Sequence, residues 1–184
     1  MNALSASDLR NRKPSRDEYP QLPKHPVAMV LDNLTSGFNV GAAFRLADAL
    51  RLERLCLCGT TPVPPRPRIR HTSMGTERWV PYQHFVDGRT AVGTLTAEGF
   101  RPVAVELTDT ATSIEDYSPA FPTALVFGDE MCGVASSTLG VCEDSVYIPM
   151  YGMGNSMSVV AAMAIAAHHF VAAYRRSANP AAIR

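Results

Sequence analysis

Apolar positions along the chain fall into short continuous runs and longer stretches of helical period. Val27–Leu31 (VAMVL) is apolar throughout and of strand length. Residues Asn39–Leu50 then place Val40, Ala43, Phe44, Ala47 and Leu50 on one helical face, with Arg45 and Asp48 pointing elsewhere. Arg54–Cys58 reads as a second strand, Arg101–Leu107 as a third, Thr123–Phe127 as a fourth and Ser145–Ile148 as a fifth. Between them, Gly88–Gly99 reads as a helix stopped by its last glycine. Met157–Tyr174 is an Ala-rich helix with a stripe of Val160, Met163, Ala164, Ala167, Phe170 and Val171. Residues 61–76 hold four prolines and read as a long loop. Residues 1–24 are polar and Arg-rich, an arm with one short helix around Asp8.

Strands that alternate with helices and are apolar on both faces predict an α/β fold: a mostly parallel, Rossmann-like sheet covered by helices on both faces. In such sheets ligands bind beyond the carboxyl ends of the strands. The loops after Leu31, Leu107, Phe127 and Ile148 are therefore where chemistry is expected.

Length and composition narrow the class. The chain has 184 residues, 46% hydrophobic and 18% charged, enough to bury a core without staples. No apolar run reaches the ~18 residues of a membrane span, and the N-terminal segment lacks the apolar stretch of a signal peptide. Cys56, Cys58, Cys132 and Cys142 show no metal-site spacing, and are expected to be reduced thiols of a cytoplasmic protein. Net charge is zero, which at first argues against a nucleic-acid partner. Residues 1–85, however, hold 12 basic and 7 acidic side chains, and residues 86–184 hold 5 and 10. Zero is the sum of +5 and −5.

Three loops carry candidate chemistry. In Asp32–Arg45 (DNLTSGFNVGAAFR), Gly37 and Gly41 allow tight turning, Asn39 is a candidate helix cap and Arg45 follows six residues on. Gly128–Gly133 (GDEMCG) follows the strand TALVF, with two glycines bracketing Asp129 and Glu130. Pro149–Ser158 (PMYGMGNSMS) is rich in small residues, and Ser156 is a candidate cap for the last helix. His168 and His169 are adjacent on that helix and cannot share a face. Trp79 and Tyr82 can stack on bases or pack in the core, with packing favoured.

Taken together, the three loops resemble the SpoU (TrmH-like) family of SPOUT-class RNA 2′-O-ribose methyltransferases, over about residues 27–175. The motif N-x-G-x-x-x-R stands at Asn39–Arg45, the glycine/glutamate loop at Gly128–Gly133, and the I-P-M strand end at Ile148–Met150, followed by Asn155-Ser156-Met157-Ser158. The resemblance implies S-adenosyl-L-methionine as cofactor, a C-terminal trefoil knot, a homodimer and methyl transfer to a ribose 2′-hydroxyl of RNA; the 26 residues before the first strand are too few for a separate RNA-binding domain, which tilts the expectation to tRNA before rRNA. It implies Arg45, Asn39, Glu130 and Ser156 as catalytic residues. It implies cofactor contacts from Leu107, Gly128, Glu130, Gly133, Ile148, Met150, Ser156 and Met157, and no metal. RNA contacts are expected from Arg10, Arg12, Lys13 and Arg16 of the arm, and from Arg66–Arg70 with His71. The implied organisation is an arm (1–24), a methyltransferase domain (25–176) and a tail (177–184). Two positions depart from the family's pattern. Ser158 stands where an Asn is usual, and Asp129 stands for an Asn, its side chain expected to face solvent. The retained alternative is a catalytically weak RNA-binding paralogue that keeps cofactor affinity.

Overall fold

The structure, a computed structural model, describes residues 3–11 and 13–178. Arg12 of the arm, and the expected tail from residue 179 on, lie outside the described residues. The strands are β1 (Val27–Asp32), β2 (Leu55–Cys58), β3 (Tyr82–Phe85), β4 (Arg101–Val105), β5 (Thr112–Ser113), β6 (Thr123–Phe127) and β7 (Asp144–Tyr147). The helices are α1 (Ala6–Asn11), α2 (Gly37–Ala49), α3 (Pro67–Ser73), α4 (Gly88–Ala97), α5 (Ser136–Leu139) and α6 (Val159–Ser177). The strands form one seven-stranded sheet in the order β3-β2-β1-β6-β4-β7-β5. Every pairing is parallel, with Val30 of β1 between Cys56 of β2 and Val126 of β6.

Alternation along the strands sorts the core into two layers. Met29, Leu31, Leu55, Leu57, Leu125 and Phe127 face one side, where Phe44 of α2 and Met163, Ala167 and Phe170 of α6 cover them. Ala28, Val30, Cys56, Cys58, Ala124 and Val126 face the other, against Ala91, Val92 and Leu95 of α4. The expected layering of helices on both faces is present. Larger side chains fill the first layer and smaller ones the second.

Cys56 and Cys58 share the second layer, fully buried, and burial pushes the Cys56 thiol up to about 11 and Cys58 higher still. Cys142 is half-buried and pushed up to about 12 by burial, whereas Cys132 is exposed. His168 is exposed on α6, while His169 is half-buried and shifted below the usual imidazole range by that burial.

Several sequence expectations change. The proline-rich stretch is not a plain loop: it contains α3, with Pro67 in its first turn. Arg66 before it is extended (φ −139°, ψ 139°), as a residue preceding proline prefers, so the prolines start the helix rather than exclude it. Strand β3 escaped notice because it is an edge strand with Phe85 alone buried, and β5 has only two residues. Helix α2 begins at Gly37 with Ser36 at its N-cap, so Asn39 lies inside the first turn and does not cap it. Gly41 serves close helix packing and not a turn, since a Cβ there would collide with Thr72 and the Ile69 carbonyl of α3.

The arm is partly tied down. Ser5 and Asp8 exchange side-chain-to-backbone hydrogen bonds at 3.1 Å each, a capping box at the start of α1. Ser15 and Glu18 repeat the arrangement just before Tyr19. Tyr19 is buried in the first layer, and burial raises its hydroxyl to about 12. The Arg16 guanidinium sits 5.0 Å from the centre of the Trp79 ring, whose Nε1 donates to Asp48 at 2.7 Å.

The cap of α6 is Ser158, whose Oγ accepts from the Ala161 N–H at 3.3 Å, and not Ser156. Serine and asparagine are about equally good in this role. An Asn at this position could cap α6 equally well, so the serine costs this chain nothing in capping. Ser158→Ala is expected to cost about 1 kcal/mol in stability, and Ser158→Asn close to nothing. Urea-denaturation midpoints of the two variants check this; equal midpoints would remove the capping role.

Candidate functional site: a cleft at the carboxyl edge of the sheet

The loops following β4, β6 and β7 enclose a cleft of about 1080 Å³. Leu107 enters from the first loop, Gly128, Glu130 and Gly133 from the second, and Ile148, Met150, Ser156 and Met157 from the third. All eight positions expected to contact a cofactor thus meet in one place, at the carboxyl ends of neighbouring parallel strands.

Local sequence explains the shape. At Gly128 any Cβ would collide with the backbone of Gly133 and Val134, so the β6 loop closes on itself only with glycine there. Glu106, at the end of β4, holds that loop from the side. Its Oε1 accepts from the Leu107 N–H (3.1 Å) and its Oε2 from the Val134 N–H (3.2 Å). Asp129 turns the loop by accepting from the Met131 N–H (2.9 Å), while the Gly133 N–H returns to the Asp129 carbonyl (2.9 Å). From behind, Asp32 at the end of β1 is almost fully buried, and its carboxylate accepts from the Ala135 N–H (3.1 Å) and the Asn33 side chain (2.9 Å).

Two side-chain bonds join the β1–α2 loop region to this cleft. Asn39 Nδ2 donates to Glu130 Oε1, and Thr35 Oγ1 donates to Asp129 Oδ2 at 3.2 Å. The second corrects an expectation: the Asp129 carboxylate does not simply face solvent but is bonded to Thr35 and to its own loop. Of the four expected catalytic residues, Glu130 and Ser156 line the cleft, and Asn39 reaches it through Glu130. Arg45 does not line it. It lies six residues further along α2, about 9 Å of helical rise from Asn39, exposed and without an ion pair among the described residues.

Thr35 and Asp32 work in the site without having been expected there individually, and Glu106, which opens a loop expected to contact cofactor, holds the neighbouring loop. The available signal was a carboxylate placed just where an apolar strand ends, as in VAMVL-D and PVAV-E. Such a group at the carboxyl edge is positioned to receive the N–H groups of a neighbouring loop. Among the described residues no group of three or more His, Cys, Asp or Glu side chains is placed to hold a metal ion.

The sequence and the fold have counterparts among known proteins. The model of the SpoU rRNA Methylase family matches residues 26–168. A tRNA (guanosine(18)-2′-O)-methyltransferase of Thermus thermophilus is 30% identical over 139 residues, 76% of this chain and 71% of that protein. The A. aeolicus TrmH/SpoU tRNA modifying enzyme shares the fold with a TM-score of 0.76 at 23% identity, over 89% of this chain and 81% of its own. The SpoU methyltransferase AviRb of Streptomyces viridochromogenes, solved in complex with the cofactor AdoMet, gives 0.72 at 23% identity over 88% of this chain and 64% of its own. The chain therefore spans under two thirds of AviRb. With a family model covering most of its length and a relative of 30% identity, the chain belongs to the SpoU methylase family.

Proposed function

We propose that this protein is an RNA methyltransferase that moves a methyl group from S-adenosyl-L-methionine to a ribose 2′-hydroxyl, with tRNA rather than rRNA as substrate. The observation that carries the reading is the convergence of all eight expected cofactor positions on one cleft, with Asn39 bonded to Glu130 at its edge. The choice of tRNA rests on the likeness to the tRNA-acting proteins of Thermus thermophilus and A. aeolicus.

The cleft suits the cofactor. Leu107, Ile148 and Met150 offer apolar flanks for an adenine, while Gly152 and Gly154 leave the third loop's backbone open on the cleft. Glu130, exposed on the cleft, suits a cationic ligand. S-adenosyl-L-methionine, when bound, supplies a sulfonium methyl that is already electrophilic, so no metal is needed. The chain's own residues then orient the ribose and manage its charge. Asn39 spends an amide N–H on Glu130, which leaves its carbonyl oxygen to accept from a ribose hydroxyl. Ser156, exposed on the cleft, holds cofactor and substrate. Arg45 has no ion-pair partner among the described residues and is assigned to a substrate phosphate and to the negative charge developing on the 2′-oxygen. A guanidinium stays protonated at neutral pH, so this role asks no proton uptake of it.

Arg45 stands outside the cleft of its own chain, which favours a homodimer in which RNA spans two copies. Phe38 on α2 and Ile165 on α6 are exposed apolar residues that a second copy can cover. The proposal includes the family's trefoil knot in the C-terminal loops, a cytoplasmic location, and the arm, domain and tail at 1–24, 25–176 and 177–184. No helix of the described residues is long and apolar enough to cross a membrane.

Tritiated methyl transfer to total tRNA and rRNA tests the activity: label in tRNA is expected, and cofactor binding without label in any RNA would sink the reading in favour of a weak paralogue. Arg45→Ala is expected to lower transfer more than a hundredfold while cofactor affinity stays within about twofold. Loss of cofactor binding would refute the role given to Arg45. An independent check needs no activity. Cys132 lines the cleft and is exposed, while Cys56 and Cys58 are buried and Cys142 is shifted upward. At pH 8 one thiol should react rapidly with a disulfide reagent in the native protein, and S-adenosylhomocysteine should slow it. A rate indifferent to that ligand would place the cofactor elsewhere.

A further inference from the structure

We infer that a second cleft, sharing no residue with the first, holds a single-stranded segment of the substrate RNA through its phosphates and one base. It lies between the 64–70 segment and the start of β3, has a volume of about 490 Å³, and is lined by Pro64, Pro65, Pro67, Arg66, Arg70, Glu77, Arg78 and Tyr82. The inference rests on the proposed RNA substrate and extends it to a site away from the methyl transfer.

Charge is the first argument. Arg66, Arg70 and Arg78 are all exposed, and no ion pair engages them among the described residues; the two ion pairs present, Arg54–Glu98 and Arg101–Glu143, lie elsewhere. Glu77, the one acidic lining residue, accepts from the Ser73 hydroxyl, and three arginines against this one carboxylate leave the cleft a net positive charge. Arg66 is the extended N-cap residue of α3 and Arg70 lies one turn in, its N–H donating to the Arg66 carbonyl at 3.0 Å, and both line the cleft. Arginine forks suit phosphate oxygens.

The second argument is the ring. Tyr82 is 38% exposed and meets Phe44 edge to face, with centroids 5.3 Å apart. Phe44 thus braces the tyrosine, and three proline rings provide stiff apolar walls beside it. Cationic groups beside a braced aromatic ring are what single-stranded nucleic acid needs: charge for the backbone and a π-face for a base. The volume falls in the range of about 300–1,000 Å³ typical of small-ligand sites, enough for one nucleotide unit.

Position is the third. Phe44, which braces Tyr82, immediately precedes Arg45. Trp79, which follows Arg78, carries Arg16 of the arm. The cleft therefore lies on the structural path from the arm to the Arg45 helix, along which one RNA strand would run.

Binding of tRNA to the Arg66→Gln/Arg70→Gln double variant, followed by anisotropy over a salt series, tests the inference. Affinity at 0.1 M salt should fall about tenfold, and the slope of log K against log salt should shrink by about 1.5, since a single-strand phosphate contact contributes about 0.7. The KM for tRNA should rise while kcat and cofactor affinity are retained, and a thermal melt confirms folding. Tyr82→Leu should weaken binding of a single-stranded oligoribonucleotide about tenfold and leave the slope unchanged. An unaltered slope and affinity in the double variant would overturn the inference. So would binding of GMP or AMP that the double variant loses while its tRNA affinity is untouched, because the site would then serve a free nucleotide. RNA binding without methyl transfer by the unaltered protein would defeat the proposed function alone. Absence of RNA binding would defeat both.

Discussion

Gly128 lies against the backbone of Gly133 and Val134, and the cleft exists because the chain can approach itself that closely. The approach brings a row of N–H groups to the carboxyl edge of the sheet, where they need acceptors. Glu106 takes those of Leu107 and Val134, Asp32 takes that of Ala135, and Asp129 takes that of Met131. Three carboxylates on three strand ends thus fix one loop. Asp32 and Glu106 could not be replaced by apolar residues of similar size without leaving buried or half-buried N–H groups unpaired, which costs more than the bond itself is worth. Held in this way, the β6 loop forms one wall of the cleft that Leu107 and Ile148 also line.

The sheet was legible from sequence wherever a strand is buried on both faces. β1, β2 and β6 are apolar without interruption because helices cover both sides, and their limits were read to within a residue. β3 was not legible because its exposed face and edge position leave Phe85 as its one buried residue, which no periodicity can reveal. The error at residues 61–76 has a different cause. Proline excludes helix interiors but favours helix starts, and composition alone cannot say on which side of a proline the helix lies. The structure puts α3 after the prolines and packs it on α2, where Gly41 admits it.

At the site, residue types were legible and their partners were not. Asn39 and Glu130 stand 91 positions apart, and nothing local to either predicts that one donates to the other. Capping was misplaced twice for a related reason. Ser156 and Ser158 are chemically equivalent caps, and the choice depends on where the third loop finishes crossing the cleft, a tertiary matter. Asn39 has the chemistry of a cap but sits inside the first turn, its side chain committed to a neighbouring loop. A cap residue by composition that is not a cap by position is itself a pointer to function, because its polar group has been recruited elsewhere.

The zero net charge becomes informative once it is laid over the strand order. Residues 1–85, with five excess positive charges, supply β3, β2 and β1, which are contiguous in the sheet. Residues 86–184, with five excess negative charges, supply β6, β4, β7 and β5, which are the remainder. A split that could have been scattered through the fold is therefore a split across its width, with the boundary between β1 and β6. The first cleft opens on the acidic side and the second on the basic side. At physiological salt, fields from exposed charges fade over about 8 Å. A polyanion drawn to the basic half is thus not strongly repelled by carboxylates across the sheet. Beyond the β1–β6 pairing, two side-chain bonds reach across that boundary at the cleft, Asn39 to Glu130 and Thr35 to Asp129, both from the β1–α2 region to the β6 loop. Those two bonds place the residue types that would orient a ribose beside the loop that would hold a cofactor, at the one seam where RNA drawn to the first half could meet a ligand bound by the second.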